Sequence, residues 1–450
     1  MVQSVTTQKS KQQLTKNVLS LTVVQIATYV MPLISVPIIS RIIGPEKYGI
    51  INFAAALITY FTLIISYSFD FSATRKLAKS PDDAALRNQI FSEVFFTQCL
   101  LFALSTAAFA VLLFTVDDFK ANQTVLIFSY TLCISLLFTQ NWLYQAMQDL
   151  SKVALFNLIS RLMFTASIIL VIRQNEDYIW QPLLIGLSQT IVALLSFFWA
   201  IRRYKLKFLH TPLRRCAQVL WEEKTIFLSL IFVNLYSSTN TVILGFFQSQ
   251  EQVGYYTAGQ RLIIIAQSVL AMPLAQAFYP FIGKAFGEGR QQGLQVVQKL
   301  VPMIVLFLGT ASIAMFVLGP FVITLFYGPQ FEAAVPVFRI LAIVPLLFSL
   351  NNVFGIQIML NLGMDTQFFK ISVAAAFVSI LLNLMLIRQW GYIGTTLNWL
   401  ATELFILICM CTVLIKKGIN PFNRAYFRLS VIGEYIQPMI KRFQPAKVNP

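Results

Sequence analysis

Apolar residues in this 450-residue chain gather into long unbroken stretches instead of alternating with polar ones. Twelve such stretches lie near 15–43, 50–74, 91–115, 122–146, 153–172, 180–201, 225–247, 254–279, 298–326, 335–361, 367–387 and 394–415. A helix crosses a bilayer with about 20 mostly apolar residues, and each stretch is long enough. None shows the alternating segments, roughly ten residues long, of an outer-membrane barrel. Backbone amides find no water in lipid, so such stretches must close their hydrogen bonds internally as helices. The pattern predicts an all-α polytopic membrane protein of about twelve transmembrane helices. Residues 1–14 are polar and include Lys9 and Lys11, and the apolar stretch that follows is too long for the core of a cleaved signal. The first helix is therefore expected to stay in the membrane.

Charge tests the span count independently. The chain holds 34 Lys and Arg against 18 Asp and Glu, a net charge of +16, with only 12% charged and 57% hydrophobic residues. Soluble proteins carry about 25% charged residues, so the composition excludes a disordered protein and argues against a soluble enzyme. With both termini on the cytoplasmic side, 26 of the 34 basic residues fall on inward segments and 5 (Arg41, Lys47, Lys120, Arg173, Arg388) on outward ones. That is the asymmetry expected of a correctly oriented membrane protein. A nucleic-acid binder would present its basic residues on one face, not between apolar spans, so nucleic acid is not an expected partner.

Outward loops are short, and the longest connection is the basic stretch 202–224. It divides the chain into a first six-helix lobe (1–201) and a second (225–415), followed by a basic tail (416–450). A shift of 205 residues places Gly49 on Gly254, Glu46 on Glu251 and Leu57 on Leu262 without a gap. Six spans per half is an even number, so both halves insert the same way and are expected to be related by an axis along the membrane normal, with a substrate path between them. In the tail, Phe422, Tyr426, Leu429, Ile432, Ile436 and Ile440 recur at helical spacing among Arg and Lys. That pattern describes a helix lying on the anionic lipids of the inner leaflet. Gly433 and Pro438 argue against one unbroken helix, and a plain charged tail is the competing reading.

Charges inside spans are costly and usually functional. Arg261 lies about two turns inside span eight and is the first candidate for a cavity-lining residue, with snorkelling to the interface as the bland alternative. Asp70 sits near the inner end of span two, placed either to pair with Arg75 or Lys76 or to serve as an ion site. Glu403 is isolated in span twelve and is the second ion-coupling candidate. Arg161 and Arg339 divide evenly between structural and cavity-lining roles. Uncharged polar residues form stripes: Thr22, Gln25 and Tyr29 on span one, Asn234, Ser237, Ser238, Asn240 and Thr241 on span seven, Gln260, Gln267 and Gln276 around Pro273 on span eight. Span four ends in Gln140, Asn141, Trp142, Tyr144, Gln145 and Gln148. For any one of these, interhelical hydrogen bonding is the favoured reading. Together they suggest a hydrated cavity, and their mixture of rings and amides suits sugars.

The chain has no metal-ligand spacing, phosphate-binding glycine loop or long outward acidic loop, and its one histidine, His210, reads as a surface residue. No catalytic residue, metal or cofactor is expected. Asp82-Asp83 after Pro81 reads as a turn or helix cap.

These residues resemble a family. Pro-Ile-Ile-Ser-Arg-Ile-Ile-Gly-Pro-Glu-Lys-Tyr-Gly (37–49), followed by Asp70 and Arg75, is similar to the Wzx-type polysaccharide transporters of the multidrug/oligosaccharidyl-lipid/polysaccharide exporter superfamily. Asn-Trp-Leu-Tyr-Gln-Ala-Met-Gln-Asp-Leu (141–150) resembles the family's Trp-Phe-Gln-Gly segment, with Ala146 in place of its glycine. Phe-Tyr-Gly-Pro-Gln-Phe (326–331) and Gly391-Tyr392-Ile393-Gly394 resemble its second-half markers. The resemblance implies a flippase for a polyprenyl-pyrophosphate-linked oligosaccharide, working by alternating access between two six-helix lobes. It also implies anionic lipids, a polysaccharide polymerase and chain-length proteins as partners. A basic cavity would suit the pyrophosphate, with Arg261 first and Arg41 and Arg75 next. Two other readings compete: a cation-coupled drug exporter of the same superfamily, which would favour an acidic cavity, and a membrane glycosyltransferase or polymerase, which would need an outward catalytic loop.

Overall fold

The structure is a computed structural model. It describes the backbone of residues 2–427 and the side chains of residue 31 and of 34–427, except 118, 229, 232–238 and 424. Among the described residues fifteen α-helices follow one another: α1 (Val2–Ser66), α2 (Phe69–Ala78), α3 (Ala84–Thr115), α4 (Asp117–Ala121), α5 (Gln123–Phe138), α6 (Asn141–Ala146), α7 (Leu150–Val171), α8 (Trp180–Tyr204), α9 (Leu213–Phe247), α10 (Gln250–Ala266), α11 (Met272–Glu288), α12 (Arg290–Tyr327), α13 (Val335–Leu341), α14 (Val344–Asn352) and α15 (Asp365–Lys416). No strand occurs among the described residues.

Each apolar stretch finds its helix, but helices and spans do not correspond one to one. α1 holds the first two spans, divided at Gly44, whose φ of 72° breaks the helical path. α15 holds the last two, divided at Gly391 with φ of 53°. At both turns a side chain would strain the left-handed backbone that glycine adopts freely. The opposite also happens, where one span uses several helices. Span two breaks at Tyr67, which adopts a φ of 51°, and continues as the short α2. Span four breaks at Thr139–Gln140 and continues as α6. Span eight runs from α10 through a π-helical segment, Gln267–Ala271, into α11, with Pro273 at its second residue. Asp83 caps α3 as its spacing predicted, accepting from the amides of Ala85 (2.9 Å) and Leu86 (3.0 Å).

Residues 1–257 with 324–331 form one compact unit, and 258–323 with 332–450 form the other. The first is cemented by aromatic rings: Tyr67, Phe69, Phe91, Trp142, Tyr144, Phe197 and Tyr204 share one buried cluster. The second packs Val297, Val301, Leu308, Phe354, Ile358, Met359 and Leu414. Large apolar side chains such as Phe377 and Ile313 are exposed in mid-span. A soluble protein rarely tolerates contiguous surface of that kind, whereas lipid accepts it without cost.

Candidate functional site

One end of the first unit gathers three of the segments singled out in the sequence. Gly49 and Gly254, equivalent under the shift of 205, lie against each other. A β-carbon on Gly49 would fall 1.7 Å from the Gln250 carbonyl oxygen, and one on Gly254 would fall 2.0 Å from that of Pro45. Pro45 and Gln250 are themselves equivalent under the same shift, so the contact maps onto itself as a local two-fold relation requires. Beside it, Arg41 donates to the carbonyls of Leu325 (2.7 Å) and Thr324 (3.5 Å). Both belong to the last turn of α12, whose carbonyl end attracts a cation, and that of Thr324 also accepts from the Gly328 amide at 3.0 Å. Gln330 donates to the carbonyls of Ser40 (2.9 Å) and Arg41 (3.1 Å). Tyr48 meets Tyr327 and Phe331 edge to face with ring centroids 5.7 Å apart, and those two rings lie tilted at 5.1 Å.

Three of the polar residues of span four, Gln140, Trp142 and Tyr144, are internal, whereas Gln145 and Gln148 are exposed. Trp142 donates to Gln140 Oε1 at 2.6 Å, and Tyr144 donates to the Ser196 carbonyl at 2.7 Å. Thr74 of α2 donates to the Trp142 carbonyl at 3.1 Å, joining the two short helices that end spans two and four. Gln140, Trp142 and Tyr144 are each about 1% exposed. They hold the helices together and line nothing.

The ion-coupling candidates stand apart. Glu403 is 2% exposed, and Asn351 of α14 donates its amide to Glu403 Oε2 at 2.8 Å and to the Glu403 carbonyl at 3.1 Å. Ser379, Asn383, Asn398 and Thr402 of the same unit are also buried, and Asn398 donates to Ser379 Oγ at 3.2 Å. The second unit thus carries a polar seam between α14 and the two halves of α15. Asp70 is exposed on the first turn of α2, and among the described residues no ion pair joins it to Arg75 or Lys76. Lys76 turns instead to Glu223 (2.6 Å) and Glu222 (3.6 Å) of α9, more than 140 residues away.

Arg261 is exposed on α10, and no salt bridge reaches it among the described residues. Gln260 and Gln267 are half-buried on the same span, the latter opening the π-helical segment. Asn240 is buried in α9. Arg339 donates to the Phe316 carbonyl at 3.1 Å and is half-buried. Gln25, Tyr29 and Asn234 lie outside the described side chains, as does the tail beyond residue 427. Sequence reasoning missed Asn351, Gln330 and the acids of α9, because each takes its meaning from a partner at least 50 residues distant.

Paired spans, broken helices, a buried carboxylate on a spanning helix and an exposed arginine on another, without a salt bridge among the described residues, are the features of a multi-pass membrane transporter. The fold agrees. The chain is similar to "Lipid II flippase MurJ, inward closed conformation", with a TM-score of 0.73 and 13% identity over 95% of this chain and 93% of that one. It is also similar to the inward-facing conformation of a multidrug resistance MATE family transporter of the MOP superfamily, with a TM-score of 0.61 and 12% identity over 95% and 100%. Residues 14–286 match the family described as polysaccharide biosynthesis protein, and the chain belongs to that family. A curated relative, "Putative O-antigen transporter" of Escherichia coli (strain K12), is 26% identical over 401 residues, covering 89% of this chain and 96% of the relative.

Proposed function

We propose that this protein is a flippase, not an enzyme, and that it moves a polyprenyl-pyrophosphate-linked oligosaccharide from the cytoplasmic to the periplasmic leaflet of a bacterial inner membrane. The product would serve O-antigen, capsule or exopolysaccharide synthesis. Both termini lie in the cytoplasm, and the lobes 1–201 and 225–415 alternate access around the substrate, joined by the basic loop 202–224. The observation that carries the reading is Arg261. A guanidinium in mid-membrane costs about 2.5–3.5 kcal/mol on insertion scales unless it meets water or an anion. Exposed on α10 without a salt bridge among the described residues, it suits a pyrophosphate, which arginine binds through two parallel hydrogen bonds. Gln260 just before it and Gln267 after it on the same span offer amides to sugar hydroxyls. Arg75 and Asp70 stand exposed on α2, where the substrate is first met, and Arg41 stabilises the opposite end of the helix bundle. Glu403, held by Asn351, is the coupling carboxylate. Anionic lipids neutralise the basic inner loops and tail, and a polymerase with its chain-length proteins takes up the product.

The fold alone also fits a multidrug exporter. An exposed cation on a spanning helix, with no salt bridge among the described residues, favours an anionic substrate over the cationic drugs such an exporter carries. The test is export. In cells lacking their own exporter, the chain restores surface glycan, and Arg261→Ala abolishes that at equal protein level while Arg261→Lys retains part of it. Unchanged export by Arg261→Ala removes the residue from the cavity. Drug resistance without glycan export transfers the chain to the second reading.

A further inference from the structure

The transport reading leaves unused a cluster of charges at the start of α9. That helix has 35 residues, about 52 Å, of which a bilayer core occupies about 30 Å. Its first three turns, 213–224, precede the apolar stretch that begins at 225. They are amphipathic: Cys216, Val219 and Glu223 are buried, whereas Leu213, Arg214 and Trp221 are exposed.

The buried side is fastened to α2 and α3. Arg215 grips Glu93 of α3 through both carboxylate oxygens, at 2.9 and 3.2 Å, and reaches Glu222 at 3.0 Å. Lys76 of α2 meets Glu223 at 2.6 Å. Tyr67, at the break in span two, donates its hydroxyl to the Leu220 carbonyl at 2.7 Å. Its ring stacks on Phe227 with centroids 4.0 Å apart.

Three features make this more than a surface salt bridge. The Arg215–Glu93 pair is bidentate, the geometry in which such pairs are strongest. Glu223 is only 5% exposed, so parting it from Lys76 in place would strand a buried charge. The segment therefore has two acceptable states, fully docked or fully released with Glu223 in water, and a two-state element of this kind is what a switch requires. Moreover, α9 opens the second half of the repeat, whereas α2 and α3 belong to the first. Any motion that draws span seven away from spans two and three at this end must undo the whole set.

We propose that residues 213–224 form a releasable strap that locks α9 to α2 and α3, and that it lets go once in each transport cycle. The proposal rests on the flippase reading, in which spans part at the cytoplasmic face to admit the substrate.

The test pins the strap. Lys76→Cys and Glu223→Cys are introduced together in a chain whose native cysteines are alanine, and a reducible bis-methanethiosulfonate bridges them. Glycan export is expected to stop on bridging and to return on reduction. Export that continues through the bridged protein overturns the proposal, because a permanent brace would tolerate the bridge. A second measurement does not need the flippase reading or the double cysteine variant. Cys216 lies in the strap, 1% exposed, and is kept as the single thiol. It is expected to react slowly with N-ethylmaleimide, at least about ten-fold faster in Lys76→Glu, and slowly again in Lys76→Glu with Glu223→Lys. Equal rates in all three overturn the strap whatever the chain transports. A slow wild type with a restored double variant sustains the strap even where glycan export fails, which would count against the flippase reading alone.

Discussion

Gly49→Ala places one methyl group where two backbones touch. The new β-carbon would lie 1.7 Å from the Gln250 carbonyl oxygen, 2.7 Å from its carbon and 2.8 Å from the Gly254 nitrogen. Non-bonded atoms rest about 3.5 Å apart, so the backbones must separate by roughly 1.5–2 Å. The obstructing atoms are backbone in two helices and cannot rotate away. Overpacking commonly costs about 1–3 kcal/mol, and a backbone obstruction belongs at the upper end. Gly254→Ala meets the Pro45 carbonyl at 2.0 Å and should cost a similar amount. The reciprocity makes a sharper claim. Either methyl forces the same separation, so the double variant is expected to lose little more than one single variant, a coupling of the size neighbouring sites can show. Gly283→Ala is the control: nothing lies within 4 Å of its β-carbon, and alanine in a helix gains up to about 1 kcal/mol over glycine. Unfolding of the purified protein in mixed detergent micelles reads all four. Single variants within about 0.5 kcal/mol of wild type, or a double variant equal to the sum of the two, would refute the reciprocal contact.

Other outcomes follow from the same geometry. Asn351→Leu leaves the buried Glu403 without its amide donor and is expected to cost about 1–3 kcal/mol, read by the same micelle unfolding; a neutral result means the seam is not formed. Arg41→Met strips the donor from the carbonyls of Thr324 and Leu325 and is expected to cost about 1 kcal/mol, with Arg41→Lys recovering part of it in a thermal melt. Hydrogen bonds from Arg215 to Glu93 hold its guanidinium above its already high ordinary value. A raised value means the contribution is complete below the ordinary one and is lost only as pH climbs through the folded one. Stability should therefore show no step from Arg215 between about pH 7 and 10, and a loss there that Arg215→Gln abolishes would contradict the pairing.

Much of the fold was legible without coordinates, because a bilayer makes some properties of a chain local. Whether a stretch is long and apolar enough to span, and which side holds its lysines and arginines, depends on neighbours in sequence alone. Even the shift of 205 that pairs Gly49 with Gly254 was visible as a residue match, and Asp83 announced itself as a helix cap. The candidate site was less legible. Gln140, Trp142 and Tyr144 had the composition of a polar cavity wall, and the break in span four turned them inward onto each other. Asp70 stood near Arg75 and Lys76 in sequence, and Glu223, more than 140 residues on, took Lys76 instead.

The sequence by itself thus determined an all-helical membrane protein of about twelve apolar stretches, a repeat and a short roster of costly charges within those stretches. Only the tertiary structure decided what those charges do: Arg41 caps α12, Glu403 rests on Asn351, and Lys76 and Arg215 fasten α9. The physical reason is the range of the two effects. Partition into lipid is summed residue by residue along the chain, whereas a hydrogen bond or ion pair needs two groups within about 3 Å, and that distance is set by the packing of helices far apart in sequence.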